Sequence, residues 1–102
     1  MTKERWQKLS FFEQMANIGS EVERAIGWKK KQNIEYSQMA AERALALSDL
    51  TIEDLKNKKR LRELMRLREI LADYFYGNNS FSSSDTLWYN YFYPFNWAAR
   101  SI

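Results

Sequence analysis

The chain has neither cysteine nor histidine among its 102 residues. The first absence removes disulfides and thiolate chemistry. The two together remove Ser-His and Cys-His nucleophile pairs and the usual zinc and di-iron ligand sets. With only three glycines and one proline, there is no glycine-rich phosphate loop and little to break a helix. No apolar run approaches the roughly 18 residues that a membrane span needs, and no basic-then-apolar leader opens the chain, so a cytoplasmic protein is expected. What is present, 45% hydrophobic and 28% charged residues, fits one globular domain over 1–102 rather than a disordered chain.

Helical periodicity dominates. Phe11, Phe12, Met15, Ile18, Gly19, Val22, Ala25 and Ile26 fall at three-and-four spacing, which draws one apolar stripe on a helix. Ser10 and Glu13 have capping-box spacing at its start, and Lys29, Lys30 and Lys31 sit where the negative end of a helix favours cations. A second helix is predicted over about 34–50, with Tyr36, Met39, Ala40, Ala44 and Leu47 inward and alanines that suit close approach. A third is predicted to start at Thr51, because Thr51 and Asp54 can cap it while the lysines from Lys56 onward then avoid its first turn. It should bury Leu61, Leu64, Leu67, Leu71, Tyr74 and Phe75 and end at Gly77. A fourth should start at Ser84 or Asp85, place Trp88, Tyr91 or Phe92, Phe95, Ala98 and Ala99 in step, and kink or restart at Pro94. The expected fold is all-α, an antiparallel four-helix bundle with its last helix kinked at Pro94.

Two regions carry more than a bundle requires. Residues 56–68 hold Lys56, Lys58, Lys59, Arg60, Arg62, Arg66 and Arg68 against one acid, Glu63, a local charge of +6 where the whole chain carries +3. That concentration suits a polyanion, whose phosphates release counterions to such a surface. The alternative is a solvated face whose arginines meet Glu69, Asp73, Glu21 or Glu42. Arg24 and Lys29 to Lys31 would join the patch if the first and third helices are neighbours. The second region is aromatic: of 16 aromatic residues, 11 lie between Tyr74 and Trp97. One helical stripe cannot bury them all. With Trp88, Phe92 and Phe95 inward, Tyr89, Tyr93 and Trp97 are left for an interface with a second copy or a partner, for stacking on bases, or for a thick core beneath Phe81. A small bundle with spare aromatic surface gains by pairing, so a homo-oligomer is expected.

Carboxylates are the only catalytic candidates left. Glu13, Glu21, Glu42, Glu63, Glu69 and Asp73 match no Glu-x-x-His pattern. No enzyme, cofactor or metal site is expected. Glu21, Arg24, Arg43, Arg66 and Asp73 are instead candidates for an ion-pair network that orients helices.

The strings EQMANIGSEVERAIGW (13–28), YSQMAAERALALSDLTIEDLKN (36–57), RLRELMRLREILADYFYGNN (60–79) and SSDTLWYNYFYPFNWAAR (83–100) resemble those of a set of short all-helical microbial proteins. In length, helix number and basic character the chain is also similar to the four-helix-bundle accessory variability determinants, which help diversity-generating reverse transcriptases. That resemblance implies a ring-like homo-oligomer whose basic surface engages nucleic acid and a reverse transcriptase, with Lys56 to Arg68 as its counterpart here.

The sequence thus reads as a cytoplasmic, homo-oligomeric, non-enzymatic accessory protein. It would contact RNA or DNA through Lys56, Lys58, Lys59, Arg60, Arg62 and Arg66, associate through Tyr89, Tyr93 and Trp97, and make no membrane contact. The competing reading is a protein-interaction scaffold with no nucleic-acid role.

Overall fold

A computed structural model describes residues 1–100. Within them the chain forms five α-helices and one 3₁₀ turn, and no strand: α1 (Lys3–Gln7), α2 (Phe11–Lys30), α3 (Ile34–Glu53), the 3₁₀ turn (Leu55–Arg60), α4 (Leu61–Tyr76) and α5 (Asp85–Arg100). The short α1 was not foreseen. Thr2 caps it by accepting from the Arg5 N–H at 3.3 Å, and its one buried side chain, Trp6, anchors it to the rest.

The capping box at the start of α2 is present in both directions, Ser10 N–H to Glu13 at 2.9 Å and Glu13 N–H to Ser10 at 3.1 Å. These bonds, the backbone one first, hold the Glu13 carboxyl below its ordinary pKa. Helix α2 buries Met15, Ile18, Gly19, Val22, Ala25 and Ile26, as its stripe predicts, while Phe12 is exposed. The chain then reverses through Gln32, whose φ of 63° is left-handed, and α3 packs back along α2.

The face that α3 turns inward is built from small residues: Ser37, Ala40, Ala41, Ala44, Ser48 and Thr51. Small side chains let the two backbones approach, close enough for the Ser37 hydroxyl to donate to the Ala25 carbonyl at 2.7 Å. This corrects the expected inward set. Tyr36 and Met39 are 48% and 47% exposed, because a helix seated through its alanines turns its large residues away. The predicted helix start at Thr51 is also wrong. Helix α3 continues to Glu53, with the Thr51 hydroxyl donating back to the Leu47 carbonyl at 2.8 Å. Asp54 caps the 3₁₀ turn instead, accepting from the Lys56 N–H at 3.1 Å, so the lysines lie on a short turn with little dipole to oppose them.

Helix α4 buries Leu64, Leu67 and Leu71 against the core and leaves Leu61 exposed. It ends at Gly77, where a Cβ would lie 2.8 Å from the Asp73 carboxylate and 3.0 Å from the Asp73 carbonyl. That crowding, not a left-handed conformation, is what requires glycine here. Helix α5 starts after Ser84, which accepts from the Leu87 N–H at 3.1 Å, and continues through Pro94 without restarting. Phe92 of α5 sits on Gly19 of α2 so closely that a Cβ at Gly19 would come within 2.7 Å of its ring.

The core joins Trp6, Met15, Ile18, Val22, Ile26, Ala44, Leu64, Leu67, Leu71, Trp88 and Phe92. The radius of gyration, 13.2 Å, is that of a compact chain of about 100 residues. At one end the core is polar. Gln14 donates to the Trp6 carbonyl at 3.0 Å and to Asp54 at 2.9 Å, and accepts from Asn57 at 2.9 Å. The Trp6 indole donates to the Thr51 hydroxyl at 3.0 Å, and Asn57 also donates to the Thr51 carbonyl at 3.0 Å. This buried network ties α1, α2, α3 and the 3₁₀ turn into one unit, and nothing in the periodicity announced it.

Candidate nucleic-acid interface

The basic segment falls on the outer side of the 3₁₀ turn and the first half of α4, where Lys56, Lys58, Lys59, Arg60, Arg62 and Arg66 are all exposed. Their surroundings differ. The Lys56 ammonium is held by Asp54 and by the Gln7 carbonyl at 2.9 Å. Arg68, farther along, pairs with Asp49 at 2.5 Å. Among the described residues, none of Lys58, Lys59, Arg60, Arg62 and Arg66 has a carboxylate within 4.0 Å. Arg60 lies instead over the Phe11 ring, 4.2 Å from its centre, and Arg66 over the Phe81 ring at 5.8 Å. Cations on ring faces keep their hydrogen-bond donors available. Arg62 and Arg66, one turn apart, line a shallow groove with Leu61, Met65 and Glu69.

The other basic residues do not extend this surface. Arg24 and Arg43 both pair with Glu21, at 2.5 and 2.8 Å, so the predicted helix-orienting network exists in that half. Asp73 and Arg66 take no part in it. Asp73 accepts from the Ser80 and Phe81 N–H groups at 3.0 and 3.2 Å, which fixes the loop that carries Phe81. Lys29 lies over Tyr74 and Lys30 over Tyr89, each at 5.5 Å, at the opposite end of α2 from Phe11 and Arg60.

Of the aromatic residues named for an interface, Tyr93 and Trp97 are 64% and 61% exposed and line a surface depression with Asn96 and Arg100. Tyr89 is half-buried beneath Lys30. Trp88 and Phe92 are buried and Phe95 is half-buried, packed edge-on against Phe11 with ring centres 5.9 Å apart.

One site has no counterpart in the sequence reading. Between α4 and α5, a cleft of 320 Å³ is lined by Glu63, Arg66, Leu67, Ile70, Phe81, Ser83, Leu87, Trp88 and Tyr91. Burial, followed by the charge and hydrogen bonding of Glu63, pushes the Tyr91 hydroxyl up to about 12. Among the described residues, the buried Trp88 indole N–H has no acceptor. Three separate segments supply these walls, so no local pattern marks them. Among the described residues, no group of three potential metal ligands occurs, and no helix is long and apolar enough to cross a membrane. No family model, curated protein or solved structure matches the chain.

Proposed function

We propose that the chain is a cytoplasmic, non-enzymatic accessory protein that associates with copies of itself and holds single-stranded RNA or DNA on Lys58, Lys59, Arg60, Arg62 and Arg66. The observation that carries this reading is that these five cations are exposed and, among the described residues, have no carboxylate within 4.0 Å. A strand laid there gains counterion release from its phosphates. The guanidinium groups of Arg60 and Arg66, backed by the rings of Phe11 and Phe81, are of the kind that stack with bases. In this reading the four long helices act as an antiparallel bundle, a bend at Pro94 sets the outer part of α5, and Tyr93 and Trp97 join neighbouring copies. The likeness to accessory variability determinants makes a reverse transcriptase the partner class.

Fluorescence anisotropy with a labelled 12-mer of uridine tests the surface. Between about 50 and 200 mM salt, the logarithm of the association constant should fall against the logarithm of salt with a slope of about 0.7 per phosphate contact. The double substitution Lys59→Glu with Arg62→Glu should abolish binding. Binding that survives it, or that ignores salt, rejects the surface. The exposure of Tyr93 and Trp97 also favours a second reading, a protein-interaction scaffold. There, Tyr93→Ala with Trp97→Ala would separate the copies in light scattering while the wild type shows no affinity for the oligonucleotide.

A further inference from the structure

The cleft between α4 and α5 has the features of a ligand site. Its volume, 320 Å³, lies at the small end of the range for small-molecule pockets. Its walls combine three aromatic rings, Phe81, Trp88 and Tyr91, with one carboxylate and one guanidinium. Flat rings favour a flat guest. Trp88 is only 2% exposed and its N–H is covered by the protein, so the indole serves the cleft as wall and not as donor. Glu63 is exposed and, although it faces the Tyr91 hydroxyl, a carboxylate has about four acceptor positions, so most of its capacity is unused. Arg66 stands where the cleft meets the basic face, over Phe81 at 5.8 Å and lining both the cleft and the outer groove.

We propose that this cleft receives a guanine base, with Glu63 accepting from its N1–H and N2–H and Arg66 taking the adjoining phosphate. Guanine is the base that presents two neighbouring N–H donors on its pairing edge. Adenine, cytosine and uracil each place a lone pair beside a donor there, and that lone pair would oppose a carboxylate oxygen. The inference rests on the strand-binding reading above and adds base preference to it. The same chemistry would also hold a free guanine nucleotide, and the two sources separate in the test.

The test compares the full-length protein's affinity for two uridine 12-mers, one with a single central guanosine and one with a central adenosine. The guanosine strand should bind about tenfold tighter, the effect of one charge-assisted hydrogen bond. Glu63→Gln should erase that preference, because an amide offers a donor where the carboxylate offered only acceptors. Lys59→Glu alone, which removes only part of the basic surface, should weaken both strands and leave their ratio unchanged. Equal affinity of the wild type for the two strands overturns the guanine pocket while the strand-binding surface stands. If neither strand binds, the surface reading falls, and calorimetry with GMP and AMP decides the pocket alone: selective GMP uptake, lost in Glu63→Gln, supports it, and no uptake overturns it.

Discussion

Trp6 and Trp88 are both buried indoles in one core, yet their surroundings are opposite in kind. Around Trp6 the protein supplies its own partners: the indole meets Thr51, and Gln14, Asp54, Asn57 and Lys56 close a network with one acceptor, Asn57 Oδ1, left over. Around Trp88 the rings pack well, stacked on Phe92 and edge-on to Tyr91, but among the described residues its buried N–H has no acceptor, and the residue borders an open cleft. Polar groups completed from within hold elements together. The contrast assigns structure to the first region; recognition at the second is the proposal above.

The largest effect should come from the first region. Gln14→Leu removes three hydrogen bonds at once and leaves Asp54 and Asn57 under-satisfied in a dry interior. We expect a loss of about 3 kcal/mol, or a melting temperature lower by roughly 15 °C, read by urea and thermal unfolding followed by circular dichroism. A loss below about 1 kcal/mol would mean that the network contributes little beyond filling space.

A matched pair of substitutions sharpens the comparison. Trp6→Phe and Trp88→Phe remove the same atoms from equally buried sites, but only the first breaks a hydrogen bond. Trp6→Phe should therefore cost about 1 kcal/mol more than Trp88→Phe. Equal losses in urea unfolding would erase the distinction between the two regions.

The sequence shows the two regions unequally. Signals that act within one turn of chain were legible: the Ser10–Glu13 box, the stripe from Met15 to Ile26, Leu64, Leu67 and Leu71 of α4 (but not Leu61, which is exposed) and the start of α5 after Ser84. Thr51 misled because its hydroxyl serves Trp6, 45 positions away, while its chemistry alone suits a helix cap. Tyr36 and Met39 misled because apolar size suggested the inward face, whereas α3 is seated by its alanines. The basic run was legible as composition. Which of its members are neutralised, Lys56 by Asp54 and Arg68 by Asp49, depends on carboxylates that only the fold brings near. The α4–α5 cleft was not legible at all, since Glu63, Phe81 and Trp88 become neighbours only after Asp73 has gathered the intervening loop.

The smallest effect concerns the charge inside the Trp6 region. Burial acts to raise the Asp54 pKa, but the hydrogen bonds from Lys56 and Gln14 and the Lys56 charge together outweigh it and hold the carboxyl below its ordinary 3.8. A carboxylate with a lowered folded-state pKa contributes stability that is complete well above the unfolded value and is lost as pH falls through the folded one. Unfolding midpoints of the wild type and Asp54→Asn should therefore differ most at neutral pH, with the wild type more stable, and converge below about pH 4. If the gap for Asp54→Asn stays constant from neutral pH into acid, Asp54 acts in the network through its shape and not its charge, and the polar end of the core is held by neutral hydrogen bonds alone.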